Sequence, residues 1–325
     1  MQDPFPIAVP PLLFKATQPL ATALNLPALP LHIHEVLTAV ILYTTIYALL
    51  SPPISNLLTR GRYSRMPPRT QINWNVHVVS FVQSTLICTL SLHVLLHDPD
   101  RRAWSNSFTS RVWGYSPIAG LLQSFGLGYF LWDLYMCAAR VDIFGVGMLL
   151  HAMAATAAFS FGYRPFLHYY APVFLLYELS SPFLNIHWFC DKLGLTGSVY
   201  QAVNGFFLTS VFFGCRLVWG LVNSGRVWGD LIRAVREGAP EEEGFPGGRR
   251  DVPVWLVATY LAANGVLNCL NVYWFGKMIQ TIRSRFPPPL GTKGVGKGEG
   301  RGDGKVVVEG EGREVDGLRK RTRRV

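Results

Sequence analysis

Three ionisable residues lie within or near the ends of strongly apolar stretches, and they are the first candidates for chemistry. They are Asp133 in GYFLWDLYMC, His151 in MLLHAMAATAAFSF and Glu178 in YELSSPFLNIHWFC. Burial disfavours the charged form, so Glu178 is expected either to pair with a donor such as His151 or to be protonated. An imidazole can also serve as a general base or as an acyl acceptor. A structural ion pair or hydrogen bond is the alternative role for the two carboxylates, and helix packing is the alternative for His151.

The composition indicates which elements carry these residues. Half of the 325 residues are hydrophobic and 15% are charged, whereas roughly 25% of residues are charged in soluble domains. Seven windows approach the length of about 20 apolar residues that crosses a bilayer. They cover approximately residues 34–50, 74–96, 118–138, 143–161, 166–189, 199–222 and 252–279. The sequence therefore predicts an all-α, multi-pass transmembrane helical bundle of about seven spans.

Polar side chains form a row along one face of three of these spans. With about 100° per residue, the rows are His77, Ser80, Ser84, Cys88 and Ser91; Glu178, Ser181, Pro182 and Asn185; and Tyr260, Asn264, Asn268 and Asn271. Because an unpaired polar group in hydrocarbon costs several kcal/mol, the rows should meet inside the bundle. We therefore predict a polar cavity, with hydrogen bonds between helices as the alternative role. Its candidate residues are Asp133, His151, Glu178, Ser181, Asn185, His77, Ser84, Asn264 and Asn268.

Two prolines are expected to interrupt the fifth window. Pro172 and Pro182 lie on either side of Glu178. A proline inside a helix removes one hydrogen bond and displaces a carbonyl. The prolines should therefore bend this helix and open space beside Glu178.

Basic residues suggest an orientation in the membrane. The net charge is +10, and the chain ends in GLRKRTRRV. Arg60, Arg62, Arg65 and Arg69 form a short basic loop of the kind that stays cytosolic. With seven spans, this loop and the C-terminus lie on the cytosolic side, although the arginines between the last two spans argue against this. The glycine- and charge-rich tail should be disordered and should meet anionic lipid headgroups rather than nucleic acid, with a solvated tail that binds nothing in particular as the alternative.

No motif predicts a metal site or a cofactor. The five cysteines fall inside or at the ends of the windows, and no C-x-x-C pair occurs. A glycine-rich phosphate loop, a nucleophile elbow and an H-E-x-x-H zinc motif are also absent from the sequence.

The order of four segments resembles the TLC domain, which ceramide synthases share with translocating-chain-associating proteins and less defined TLC-domain-containing proteins. The segments are WNVHVVSFVQSTLICTLSLHVLLHD, GYFLWDL, LLHAMAATAAF and YELSSPFLNIHWF. The most specific pattern, Glu-x-Ser-[Ser/Thr]-Pro-Phe-x-Asn-x-x-Trp-Phe, is typical of the branch that lacks ceramide synthase activity. It is met by Glu178, Ser180, Ser181, Pro182, Phe183, Asn185, Trp188 and Phe189. Ceramide synthases instead carry paired adjacent histidines, whereas His151 lies between Leu150 and Ala152.

This resemblance implies three segments and a function. Residues 1–70 hold the first span and the basic loop, residues 71–280 form the TLC domain with six helices, and residues 281–325 form the basic tail. The implied function is the binding or handling of membrane lipids, with an effect on lipid homeostasis or trafficking in the endoplasmic reticulum. The first alternative is an N-acyltransferase that joins acyl-CoA to a sphingoid base with His151 as the catalytic residue. The second is a small-solute transporter, which the lack of evident inverted repeats disfavours.

Overall fold

The fold is helical throughout the part of the chain that the structure describes. This computed structural model describes residues 4–238 and 252–284, and every regular element in these ranges is a helix. Five helical segments are long and apolar enough to cross a membrane: Leu29–Leu58, Pro68–His97, Val141–Tyr163, Val199–Glu237 and Val254–Arg283. The prediction of an all-α, multi-pass membrane bundle is confirmed. The basic tail from residue 285 onwards and the arginines and glutamates at 239–251 lie outside the described residues.

The helices follow one another with short connections. In the described ranges the α-helices are α1 Pro11–Leu24, α2 Leu29–Thr45, α3 Ser51–Leu58, α4 Pro68–His97, α5 Pro99–Trp104, α6 Phe108–Trp113, α7 Pro117–Ala139, α8 Val141–Ser160, α9 Ala171–Leu175, α10 Ser181–Lys192, α11 Val199–Phe212, α12 Trp219–Glu237 and α13 Val254–Arg283. Two π-helical turns, Ile46–Leu50 and Phe213–Val218, join α2 to α3 and α11 to α12. A 3₁₀ turn, Leu176–Ser180, joins α9 to α10.

The predicted windows match these helices with two differences. The third window forms α7, which has 23 residues but is not among the five candidate spans. The fifth window is not one helix, because it is divided between α9, the 3₁₀ turn and α10. Both interrupting prolines lie in the first turn of a helix, where the missing N–H is not needed. The prolines therefore start new helices rather than bend a single one, and Glu178 lies in the turn between them.

The segment from Val199 to Glu237 is a continuous helical rod with one local irregularity. The π-helical turn Phe213–Val218 widens the rod between α11 and α12. Turns of this kind are rare and often occur at functional sites. Here the turn places Cys215 and Arg216 in the protein interior, where both are buried.

The main core lies where α2, α4, α7 and α8 pack together. Ala39, Ile87, Leu122 and Ile143 are almost completely buried there. α2 and α7 approach each other so closely that a Cβ atom on Gly128 would lie 2.5 Å from the Cβ of Ala39. A side chain at this position would force the helices apart. This close packing fixes α7, which carries Asp133, and α8, which carries His151.

Candidate functional site

A cavity of about 580 Å³ lies between α4, α7, α8, α10, α11 and α13. This volume is within the range of roughly 300–1,000 Å³ that is usual for small-molecule sites. Its inner end is lined by Ser80, Asp133, His151, Glu178 and Arg216. Much of the remaining wall is apolar and includes Met148, Leu184, Leu208, Phe212 and Met278. The cavity therefore combines buried charged groups with apolar walls.

Glu178 is paired with an arginine from the π-helical turn. Its Oε1 atom lies 3.6 Å from Nη2 of Arg216, and its Oε2 atom accepts a hydrogen bond of 2.7 Å from the hydroxyl of Ser181. Both members of the ion pair are buried. The partner of Glu178 is therefore Arg216 rather than His151.

The break between α9 and α10 creates one of the acceptors for Arg216. In the 3₁₀ turn the amide of Ser181 donates to the carbonyl of Glu178. In an α-helix the same amide would donate to the carbonyl of Tyr177. The Tyr177 carbonyl instead accepts a hydrogen bond of 2.9 Å from Nε of Arg216. The irregular backbone of one segment thus binds the buried arginine of another.

Arg216 also contacts a third segment. Its Nη1 atom donates to Oδ1 of Asn271 on α13 at 3.1 Å, and its Nε and Nη2 atoms donate to the hydroxyls of Ser180 and Ser181 at 3.0 and 3.3 Å. The guanidinium carbon also lies 5.0 Å from the ring centre of Phe212. Arg216 therefore holds the 3₁₀ turn, the π-helical turn and α13 together at the inner end of the cavity.

Asp133 lines the same inner end without a cationic partner among the described residues. The carboxylate is 5% exposed, and the thiol of Cys137 donates to its Oδ1 atom at 3.8 Å. A thiol is a weak hydrogen-bond donor. Asp133 therefore retains most of its capacity to accept hydrogen bonds.

His151 lies on the cavity wall opposite a tryptophan. Its ring centre is 5.6 Å from that of Trp274 on α13. Its Nδ1 atom is shielded from solvent and has no hydrogen-bond partner among the described residues. The neighbouring Ala152 and Ala155 are almost completely buried in the core. The small residues thus provide the close packing, and His151 faces the cavity.

Asn185 and His77 join helices beside the cavity rather than line it. Oδ1 of Asn185 lies 2.7 Å from Nδ1 of His77, and its Nδ2 donates to the hydroxyl of Ser80 at 3.1 Å. The ring of His77 stacks on Trp188 with a centre-to-centre distance of 4.2 Å. Neither Asn185 nor His77 is among the lining residues. These two polar residues connect α4 to α10.

The asparagines of α13 connect that helix to α12. Oδ1 of Asn264 accepts hydrogen bonds from Trp228 at 2.9 Å and from Asn268 at 3.1 Å. Nδ2 of Asn268 also donates to the hydroxyl of Ser224 at 2.9 Å. Ser84 is buried and donates to the carbonyl of Phe81 within its own helix. Asn264, Asn268 and Ser84 are likewise absent from the cavity lining, which leaves Asp133, His151, Glu178 and Ser181 at the cavity.

The sequence contained a signal for Arg216 that the polar rows did not use. The stretch FFGCRLVWG places a single arginine in an otherwise apolar window. An ionisable residue inside a membrane-spanning window is a functional candidate by itself. A helical period of 3.6 residues does not describe the π-helical turn, so the direction of Arg216 required the structure.

The cavity reaches the protein surface between α11 and α13, at a mouth marked by the exposed residues Ala202, Phe206 and Lys277. The two helices are joined nearby by Phe275, whose ring centre lies 6.1 Å from that of Phe212 and 5.5 Å from that of Phe213. Both helices belong to candidate spans. The mouth therefore lies between two segments that are suited to cross a bilayer.

Comparison with known proteins identifies the family. A family model described as the TLC domain matches residues 73–280. An uncharacterized TLC domain-containing protein of Schizosaccharomyces pombe is 38% identical over 269 residues, which cover 82% of this chain and 84% of the relative. Topoisomerase I damage affected protein 4 of Saccharomyces cerevisiae is 27% identical, covering 79% of this chain and 86% of the relative. TLC domain-containing protein 4 of Homo sapiens is 29% identical, covering 48% of this chain and 59% of the relative. The chain belongs to the TLC domain family.

Proposed function

We propose that the protein binds a membrane lipid in the cavity between α4, α7, α8, α10, α11 and α13, and thereby influences lipid homeostasis or trafficking. The observation that carries this proposal is the mouth between α11 and α13, two helices suited to cross a membrane. A ligand that enters there comes from the bilayer. Apolar walls suit an alkyl chain, and the charged inner end suits a polar group.

The cavity favours binding over acyl transfer. In sites for nucleophilic catalysis the base is usually oriented by a hydrogen bond from a third group. The Nδ1 atom of His151 has no such partner among the described residues, and Glu178 is bound to Arg216 and Ser181. These contacts give His151 a place on the cavity wall without the orientation that an acyl acceptor requires.

The basic loop supports an orientation in which the mouth opens into the bilayer near its cytosolic side. Arg62 donates to the carbonyl of Leu193 at 3.3 Å, and Arg69 donates to the carbonyl of Asp142 at 2.5 Å. These contacts place the loop at the end of the bundle where α10 ends and α11 begins, the end nearest Lys277. Short basic loops are retained in the cytosol. The location in the endoplasmic reticulum is proposed from the family resemblance.

A cavity-filling variant tests the proposal. A Cβ atom on Gly205 would meet His187 at 3.5 Å, an ordinary contact, and Gly205 lines the cavity, so we expect the ring of Gly205→Phe to extend into the cavity. Gly225→Phe is the matched control, because this glycine on α12 has no close neighbour and does not line the cavity. Each protein is purified in mild detergent, and the co-purified lipids are identified by mass spectrometry.

We expect one lipid class to be enriched over an unrelated multi-pass control protein. That enrichment should persist in Gly225→Phe and disappear in Gly205→Phe. Equal lipid content in the two variants, or no enrichment with the unchanged protein, would refute binding in this cavity.

A further inference from the structure

Among the described residues, the cation at the inner end of the cavity is Arg216, and it is already paired with Glu178. A guanidinium has five N–H donors on three nitrogens. All three nitrogens of Arg216 already donate to protein atoms: Nε to the carbonyl of Tyr177, Nη1 to Asn271 and Nη2 to Ser181. Its charge is also balanced by Glu178 at 3.6 Å. An incoming carboxylate or phosphate would therefore find few unused N–H donors on Arg216 and would meet the negative Glu178 beside it.

Acceptors, in contrast, are in surplus at the inner end. Two carboxylates, Asp133 and Glu178, face one guanidinium among the lining residues. When it is ionised, each carboxylate has about four acceptor positions, and an ammonium group placed beside Asp133 would favour the ionised form. Among the described residues, Asp133 accepts a hydrogen bond only from the thiol of Cys137, which is a weak donor. A ligand group placed here is stabilised if it brings its own N–H or O–H donor.

We propose that the inner end binds a hydrogen-bond donor, the hydroxyl or amine group of a long-chain lipid, with Asp133 as the acceptor. This inference rests on the proposed lipid-binding function and names the chemical class of the ligand. The carboxylates of Asp133 and Glu178 disfavour acidic groups at the inner end. Acidic groups are accommodated at the mouth by Lys277, which is six residues after Asn271 on α13 and therefore about 9 Å further along the helix axis.

Matched ligands test the inference with the unchanged protein. Full-length protein is placed in phosphatidylcholine nanodiscs and titrated with a long-chain primary alcohol, the corresponding amine and the corresponding carboxylic acid, each brominated near the polar group. Bromine quenches nearby tryptophan fluorescence, and Trp274 lies on the cavity wall. The saturable part of the quenching should disappear in Trp274→Phe, which assigns that signal to the cavity.

We expect the alcohol or the amine to bind at least about tenfold more tightly than the acid at neutral pH, since one hydrogen bond to a charged group changes affinity by about tenfold or more. Asp133→Asn should weaken binding of the amine by about 10- to 100-fold and binding of the alcohol by less, because the amide keeps an acceptor but loses the charge. Asp142→Asn is the matched control at an exposed carboxylate and should leave all affinities unchanged. The tighter binder of the alcohol and the amine identifies the polar group that the inner end prefers.

Three outcomes separate this inference from the proposed function. Tighter binding of the acid than of both other ligands would overturn the inference and leave lipid binding in place. Unchanged affinities in folded Asp133→Asn would do the same. Absence of saturable quenching by all three ligands, together with unchanged lipid content in Gly205→Phe, would overturn both.

Discussion

Two pairs of arginine and carboxylate show how differently the same groups can be used in this molecule. Arg111 on α6 and Asp230 on α12 form two parallel hydrogen bonds of 2.7 Å, and the hydroxyl of Tyr170 also donates to Asp230. The hydrogen bonds to Asp230 raise the pKa of the Arg111 guanidinium above its usual value. The acceptors of Asp230 are therefore used within the protein.

The pair of Arg216 and Glu178 is open by comparison. The charged groups are 3.6 Å apart. The guanidinium donates to the carbonyl of Tyr177 and to the side chains of Asn271 and Ser181 instead of forming two parallel hydrogen bonds with the carboxylate. Glu178 and Arg216 both line the cavity, whereas Arg111 and Asp230 do not. The closed pair, Arg111 with Asp230, joins two helices. The open pair, Arg216 with Glu178, joins helices and also forms a polar surface that a ligand can reach.

The largest effect should follow from loss of Arg216. Arg216→Met leaves Glu178 buried without its cation and removes the donors that hold α13 to the 3₁₀ turn. Breaking a buried ion pair in this way costs about 3–5 kcal/mol. The free energy of unfolding, measured in mixed detergent micelles, should fall by this amount, and lipid enrichment should be lost as well.

A double variant serves as the control for this prediction. In Glu178→Met with Arg216→Met both charges are absent, so much of the lost stability should return. Lipid binding should not return, because the polar inner end is missing. A single Arg216→Met variant as stable as the unchanged protein would contradict the role of this pair in holding the helices together.

A smaller effect is expected at the closed pair. Asp230→Asn removes the charge but retains one acceptor, and Arg111 is 22% exposed, so water can compensate in part. We expect the free energy of unfolding to fall by about 1–2 kcal/mol. Lipid content should remain unchanged, because α6 is outside the cavity. A loss of lipid equal to that in Arg216→Met would contradict the separation of the two pairs.

The sequence was sufficient to predict the membrane bundle, and four of the nine candidate residues line the cavity, but their partners could be found only in the structure. Hydrophobic windows identify spans because length and composition alone decide whether a helix can cross a bilayer. Asp133, His151, Glu178 and Ser181 stand out because a polar group in an apolar helix must face inward. The pairing of Glu178 with Arg216 depends on a 3₁₀ turn and a π-helical turn, and neither has the helical period used to draw the polar rows.

The same limitation explains the residues that were placed in the cavity but lie beside it. His77, Asn185, Asn264 and Asn268 do face other helices, as their positions in the rows required. A row indicates the direction of a side chain but does not distinguish a facing helix from a facing cavity. That distinction depends on the distance between helices, which sequence periodicity does not determine.

The smallest effect should come from the hydrogen bonds between α12 and α13. Asn268→Ala removes the bonds to Ser224 and Asn264 and the bond of 3.3 Å that Asn268 accepts from the hydroxyl of Tyr177, but it leaves the bond between Trp228 and Asn264 intact. Hydrogen bonds between membrane helices contribute about 0.6 kcal/mol on average, because the separated helices also find partners. We therefore expect the free energy of unfolding to fall by roughly 0.5–1.5 kcal/mol, with lipid content unchanged. A loss of more than about 3 kcal/mol, the range of a broken buried ion pair, would mean that this asparagine supports the Arg216 network through α13, because Asn271 lies one turn away on the same helix.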